Sequence, residues 1–335
     1  MNTFRLQNFE LVQAVTEVGK PAVLIVVDDF TGYTKCTSTL ELPTVGSTAG
    51  TITEKAYQIA TGALKAGVAV YFASDLVPAK GNAIRTVINC GEDLEITNTM
   101  LSNYEADGIF RIVVAETAPT MTNWSEADKS RWVHVDFTTL VSNLDTNSKA
   151  QLVGYIAGTI CAGYYEDSAL PFNNVAVTSI IDSDCVIYKT STELNTLFHG
   201  NKVAFYNVND VPCIFGIPTL ASYNSGNALW FDLTVRQIAD YIADSVFVDL
   251  RAKYPRSKRN QDTLTSIKAT VLARLESASQ RGIVEDVEKY DVVVISDPDD
   301  NYGIIITYTV DVVTPLYTVT VKQNITLGDN TPLVG

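Results

Sequence analysis

Between Asp232 and Leu327 the apolar residues change from a helical to a strand-like spacing, and this change limits what the chain can fold into. Val235, Ile238, Ala239, Ile242 and Val246 share one helical face. That helix is expected to stop before Tyr254-Pro255, because the residue preceding a proline disfavours helical backbone. A loop with Arg251, Lys253, Arg256, Lys258 and Arg259 follows. From about Gln261 a second helix sets Leu264, Ile267, Val271, Leu275 and Ala278 on one side, and Arg281-Gly282 supplies the cation and glycine expected at its end. The unbroken Val/Ile run in Asp291 to Ser296 predicts a strand buried on both faces. A second strand alternates, with Ile304, Ile306, Tyr308, Val310 and Val312 opposite Ile305, Thr307, Thr309 and Asp311. After Pro315 a third opposes Tyr317, Val319, Val321, Ile325 and Leu327 to Thr318, Thr320, Lys322, Asn324 and Thr326.

Upstream, strand and helix signals alternate. Ala22 to Val27 reads as a buried strand, ending at Asp28-Asp29. Thr51-Ile52-Thr53-Glu54 reads as a capping box opening a helix that ends at Gly67, and Val68 to Ala73 as the next strand. A short apolar run lies in Gly81 to Asn89, a helix in Met100 to Ala106 and a strand in Ile109 to Ala115. Beyond the loop Thr117 to Asn123, Trp132 to Phe137 reads as a strand. Lys149 to Tyr164 reads as a helix whose Ala157, Gly158, Ala162 and Gly163 permit close packing. Val175 to Ile181 and Cys185 to Lys189 look strand-like, Thr190 to Glu193 forms another capping box, and Val203 to Asn207 with Cys213 to Ile217 reads as a hairpin. Residues 1 to about 18 suit a short helix over Gln7 to Val18 or an extended arm. The expected class is α/β with mixed α+β character: an N-terminal α/β sheet domain, then a helix-loop-helix with β-strands. The division is 1–18 as an arm, 19–228 as a core with a possible split near 117–130, 229–327 as a C-terminal domain and 328–335 as a tail.

The 335 residues are 46% hydrophobic and 19% charged, which is enough apolar material for a sizeable core and argues against disorder. A formal charge of -14 opposes general nucleic-acid or anionic-membrane binding. The balance is local, however: Arg251 to Arg281 holds eight Lys/Arg against Asp262 and Glu276, so a basic face can meet an acidic face on another component. No signal-peptide pattern and no membrane-length apolar run appear, which makes synthesis in a cytoplasm the simplest expectation. Cys36, Cys90, Cys161, Cys185 and Cys213 are odd in number, widely spaced and without a C-x-x-C pair, as expected of reduced, packed thiols.

Little in the chain suggests catalysis. No strand is followed by G-x-G-x-x-G or by G-x-x-x-x-G-K-[ST], the usual phosphate cradles. Asp28 and Asp29 with Cys90 are the best enzyme alternative, an α/β enzyme of unknown class, although an acidic pair at a strand end more often caps a turn. His134 and His199 lie in separate segments, and no G-x-S-x-G elbow is present. Asp297 to Gly303 superficially resembles a calcium loop, but its glycine is one place too late and Tyr308 stands where a bidentate Glu belongs, so a tight polar turn is the better account. No cofactor and no metal are expected.

The order of Arg236 near a helix start, the cationic loop, a helix ending at Gly282-Ile283 and then paired strands resembles the C-terminal region of contractile tail sheath proteins. Gln151 to Gly158 with Phe172-Asn173-Asn174 looks like that family's small-residue helix and following turn. The resemblance implies a structural subunit, not an enzyme, that polymerises with itself as hexameric rings stacked helically around a tail tube protein. It implies baseplate and tail terminator proteins as further partners, no nucleic acid and no direct membrane contact. The implied setting is a virion tail or contractile particle assembled in a host bacterial cytoplasm. The family's extended termini add strands to neighbouring sheets, which makes Tyr308, Val310, Val319, Val321 and Ile325 candidates for an intersubunit strand. Arg236, Arg251, Lys253, Arg256, Lys258, Arg259 and Lys268 are the candidate tube-facing cations. Another tail or baseplate structural role is the further alternative. A chain of this length implies a thin sheath without the outward insertions of longer members.

Overall fold

The computed structural model describes residues 4–5, 22–28, 30–76, 84–90, 100–101, 111–166, 171–224, 230–254, 260–285, 287, 292–298 and 303–312. The elements are Phe4–Arg5 (β1), Ala22–Val26 (β2), Thr34–Cys36 (β3), Glu54–Lys65 (α1), Ala69–Ala73 (β4), Ile84–Asn89 (β5) and Ile112–Ala115 (β6). There follow Glu126–Lys129 (α2), Trp132–His134 (β7), Thr146–Glu166 (α3), Val175–Ala176 (β8), Ser191–His199 (α4), Ala204–Val208 (β9) and Val211–Gly216 (β10). Leu233–Lys253 (α5), Gln261–Gln280 (α6), Val293–Ser296 (β11) and Ile304–Thr307 (β12) complete the order.

A six-stranded sheet, β3-β4-β2-β5-β6-β7, organises the N-terminal unit; all its neighbours run parallel except β3 against β4. The continuous apolar run of β2 is explained by its central place, since all five residues are buried between strands on both sides and cores on both faces. Helices α1 and α3 cover one face. A Cβ at Gly154 would lie 1.8 Å from the Ile59 carbonyl oxygen and one at Gly62 1.9 Å from that of Gln151, so the two helices meet backbone to backbone. Thr53 caps α1 by accepting the Ala56 N–H at 3.2 Å. The expected cap at Thr51 is displaced because that hydroxyl donates to the Thr48 carbonyl at 2.6 Å and closes the preceding turn. Thr190 and Glu193 do form the reciprocal box of α4, at 3.3 and 2.8 Å.

A small antiparallel sheet, β8-β10-β9, lies beside this unit. Asn209 and Asp210 both take positive φ between β9 and β10, as a two-residue hairpin turn requires. Two expected strands are corrected. After Ala176 the chain turns, with the Ile180 and Ile181 N–H groups donating to the Val177 carbonyl. Ser183–Cys185 is a 3-10 turn, and Val186 makes only an isolated bridge to Leu140, so apolar content there fills core and loop instead of a ladder.

The C-terminal unit follows the expected order closely. Helix α5 ends one residue before Tyr254, and α6 begins at Gln261 after its cap Asn260 accepts the Thr263 N–H at 2.9 Å. At the other end Gly282 takes φ +70, its N–H donates to Ser279 and the Ile283 N–H to Ala278, and the buried Ile283 completes a Schellman stop. Ile238, Ile242, Val246 and Leu250 of α5 and Ile267, Val271, Leu275 and Ala278 of α6 share a core with Val292 and Ile306. The third sheet is β1-β12-β11, antiparallel throughout. The two-faced burial expected of Asp291 to Ser296 is corrected: Val292 is buried but Val293 and Ile295 are 45% and 49% exposed, and among the described residues β11 pairs with β12 on one side only. Ser296 pairs with Ile304, and the Asp297 N–H donates to the Gly303 carbonyl at 3.0 Å, while residues 299–302 of the segment that superficially resembles a calcium loop lie outside the described residues. Residues 6–20, where a helix or arm was the expectation, most of the 100–106 helix and the third C-terminal strand fall outside the described residues.

Candidate interaction surfaces

Cations near the end of α5 are the first candidates for a partner surface. Arg251 and Lys253 are exposed in the last turn, with the Arg251 guanidinium 5.5 Å from the Phe247 ring centre. Lys268 is half-buried on α6, while Arg256, Lys258 and Arg259 lie outside the described residues. Arg236 departs from the expectation. It is 3% exposed, so it is an interior residue and not a tube-facing one.

What holds Arg236 inside is a polar stripe that sequence reasoning passed over. Arg236, Asp240 and Asp244 recur at four-residue spacing on α5, opposite its apolar face. Arg236 reaches Asp240 Oδ1 at 2.8 Å, and Arg131 binds Oδ2 of the same carboxylate. Arg236 also lies 3.5 Å from Ser130 Oγ and 5.1 Å from the Trp230 ring centre. Arg85 meets Asp244 Oδ2 at 2.5 Å, the Tyr164 hydroxyl donates to that oxygen at 3.3 Å, and the Arg85 guanidinium lies 4.2 Å from the Tyr164 ring centre. Gln237 donates to the Ile160 carbonyl at 2.7 Å. Arg85 is the second residue of β5, while Arg111 and Arg131 immediately precede β6 and β7, so three buried arginines line the amino-terminal edge of adjacent parallel strands. Ligands of open α/β sheets bind at the opposite, carboxyl edge. The spacing of Arg236, Asp240 and Asp244 was the available signal, but it reads equally well as a solvated face.

Tyr308 and Val310 are half-buried and pack against the C-terminal core. Burial, with the neighbouring Asp240 carboxylate, pushes the Tyr308 hydroxyl well above the ordinary tyrosine range. These side chains are therefore turned inward within the chain. Val319, Val321 and Ile325 lie outside the described residues. The exposed apolar groups of this sheet are instead Val293 and Ile295, on the edge strand β11.

The carboxyl edge of the large sheet is where an enzyme site would lie. Burial pushes the Cys90 thiol up to about 12, which makes it a poor nucleophile. Asp28 is half-buried at the end of β2, and Asp29 lies outside the described residues. His134 Nε2 is 3.0 Å from the Glu116 carbonyl oxygen, and the exposed His199 stacks on Tyr223 with ring centres 3.8 Å apart. Among the described residues no group of His, Cys, Asp and Glu is placed to hold a metal ion.

The family model for the phage tail sheath C-terminal domain matches residues 225–326, the stretch that carries α5, α6, β11 and β12. Over that stretch the chain is similar to the phage tail sheath C-terminal domain. The rest of the chain shares the fold of sheath proteins as well. A sheath tail protein of Desulfitobacterium hafniense superposes with TM-score 0.59 at 10% identity, over 92% of this chain and 100% of that one. A chain of the six-fold symmetrised anti-feeding prophage baseplate gives TM-score 0.61 at 12% identity, over 93% and 94%. A chain of the contracted PVC sheath complex, an extracellular contractile injection system, gives 0.63 at 15%, over 95% and 96%. No curated protein sequence matches. The sheath domain and the mixed α/β unit before it thus reproduce both parts of the expected architecture.

Proposed function

We propose that the chain is a structural subunit of a contractile tail sheath. The observation that carries this reading is the sheath domain at 225–326 joined to an α/β unit whose fold is common to sheath chains over nine-tenths of their length. Copies of the chain polymerise into a helical sleeve around a tail tube, as hexameric rings, and contraction drives the tube through a target envelope. The six-fold symmetry of the anti-feeding prophage baseplate supports rings of six. No nucleotide is needed, since the sleeve stores its energy on assembly. The particle is built in the host bacterium, with baseplate, tube and terminator proteins as partners.

Two surfaces serve the assembly. Strand β1 lies on one side of β12, and β11, which among the described residues pairs on one side only, offers its other edge and the exposed apolar groups of Val293 and Ile295 to a strand from a neighbouring copy. The exposed cations Arg251 and Lys253, with Lys268 and the loop residues Arg256, Lys258 and Arg259, face the tube. Exposed charge contacts are weak and salt-sensitive, which suits a surface that must release its partner. A baseplate component is the second reading, favoured by the anti-feeding prophage match.

Negative-stain electron microscopy of the purified protein across salt and concentration tests both. Striated tubes or stacked rings are the expected result. Rings that never extend, even when the tube protein is co-expressed, would favour the baseplate component, and a monomer under all these conditions would overturn both.

A further inference from the structure

The buried polar stripe of α5 has no part in either surface just described. Helix α5 belongs to both units: Leu233 lies in the core of the large sheet, while Ile238, Ile242, Val246 and Leu250 lie in the sheath-domain core. The orientation of the sheath domain is therefore set by how α5 meets the α/β unit. An apolar contact there is non-directional and tolerates sliding and rotation. Sliding of Asp240 is opposed by Arg131, which reaches one of its oxygens from the sheet edge, while Arg236 of the same helix binds the other oxygen and fixes the direction of the carboxylate. One helical turn further, Asp244 is tied to Arg85, and the Arg85 guanidinium is itself stacked on Tyr164 of α3. Shifting α5 by one turn would bring at most one of the two carboxylates opposite an arginine of the α/β unit and would take the other carboxylate away from both, which is strongly unfavourable.

We propose that Arg236, Asp240 and Asp244, read against Arg131 and Arg85, form an orientation key that holds the sheath domain at one register and one angle on the α/β unit. The key selects a geometry more than it adds stability, because buried ion pairs roughly break even against apolar groups of the same size. The reading of α5 as a rigid coupler is independent of whether the assembled particle is a sheath or a baseplate.

The test replaces the three charges of the Arg131–Asp240–Arg236 cluster together with apolar groups of similar size. In the full chain, Arg131→Met, Arg236→Met and Asp240→Leu are combined, and the distance between spin labels at the exposed Glu54 of α1 and Glu276 of α6 is measured by pulsed electron resonance. Ketone-bearing side chains carry the labels, so the five native thiols do not interfere. Wild type is expected to give one narrow distance. The triple variant is expected to keep its helix content and melting temperature but to give a distribution at least twice as broad. An unchanged narrow distribution in a folded triple variant overturns the proposal. Should the triple variant not fold, the less buried pair Arg85→Met with Asp244→Leu answers the same question: broadening supports the key, and an unchanged width overturns it. The labelled chain is diluted into unlabelled chain, so only distances within one copy are read and the outcome is separate from the microscopy of assembly.

Discussion

Asp240 is the residue on which most buried charge depends. Its carboxylate is 4% exposed and faces two arginines that are equally buried. Asp240→Asn keeps the shape but leaves Arg131 and Arg236 without that charge, and is expected to cost roughly 3–5 kcal/mol. Equilibrium urea unfolding should report this as a lower midpoint with an unchanged slope. Asp136 makes a pH-dependent contribution of the opposite kind, at the surface. Burial raises its pKa, but hydrogen bonds from Thr138 and Lys202 outweigh that and hold it below the usual carboxylate range. A carboxylate depressed in the folded state contributes stability above its unfolded pKa, near 4, and loses it as pH falls through the folded value. Glu126, whose pairing with Lys129 and the Ser222 N–H likewise outweighs burial, acts in the same direction. The melting temperature is therefore expected to fall below about pH 4, and Asp136→Asn should flatten that fall.

At the scale of elements, the contact of α1 with α3 makes the sharpest claim. Glycine to alanine inside a helix ordinarily stabilises by about 1 kcal/mol. Here the sign should reverse at Gly154, since a Cβ 1.8 Å from the Ile59 carbonyl oxygen can be accommodated only by moving the helices apart. Gly154→Ala is expected to destabilise by about 1–3 kcal/mol or more. At Gly163 the nearest atom is 3.1 Å away, on the ring edge of Phe172, which can give way. Gly163→Ala should therefore be the milder of the two in a thermal melt. The small residues of this helix were legible as a close-packing face, but the partner was not: Gly62 and Gly154 are neighbours only because α1 and α3 cover the same face of one sheet. The ends of α5 and α6 were legible to within a residue, because caps and Schellman stops are made by residues a few positions apart. Of the strands expected at Val175 to Ile181 and Cys185 to Lys189 only Val175–Ala176 forms, because a short apolar run reads alike whether it fills a ladder or a loop wall.

For the whole molecule, the exposed edge of β11 is the place to separate folding from assembly. Val293→Lys with Ile295→Lys places charge on side chains already about half exposed, so the melting temperature should move by no more than a degree or two on the usual scale of surface substitutions. Tube or ring formation, seen by electron microscopy, is expected to be lost, because like charges and the changed edge oppose strand addition. The sequence by itself determined the order of the described elements in the sheath domain, the stops of its helices, the buried character of β2 and the lack of a phosphate-cradle motif. Each rests on residues close along the chain or on the types present. Only the tertiary structure decided which polar face was solvent. Arg131 and Asp240 are 109 residues apart and Arg85 and Asp244 are 159 apart, so the spacing on α5 shows half of each pair and nothing of the other. It also decided that one face of β11 is uncovered. Burial on two faces depends on what packs against each face of the sheet, and that is a property of the assembled fold, not of the strand.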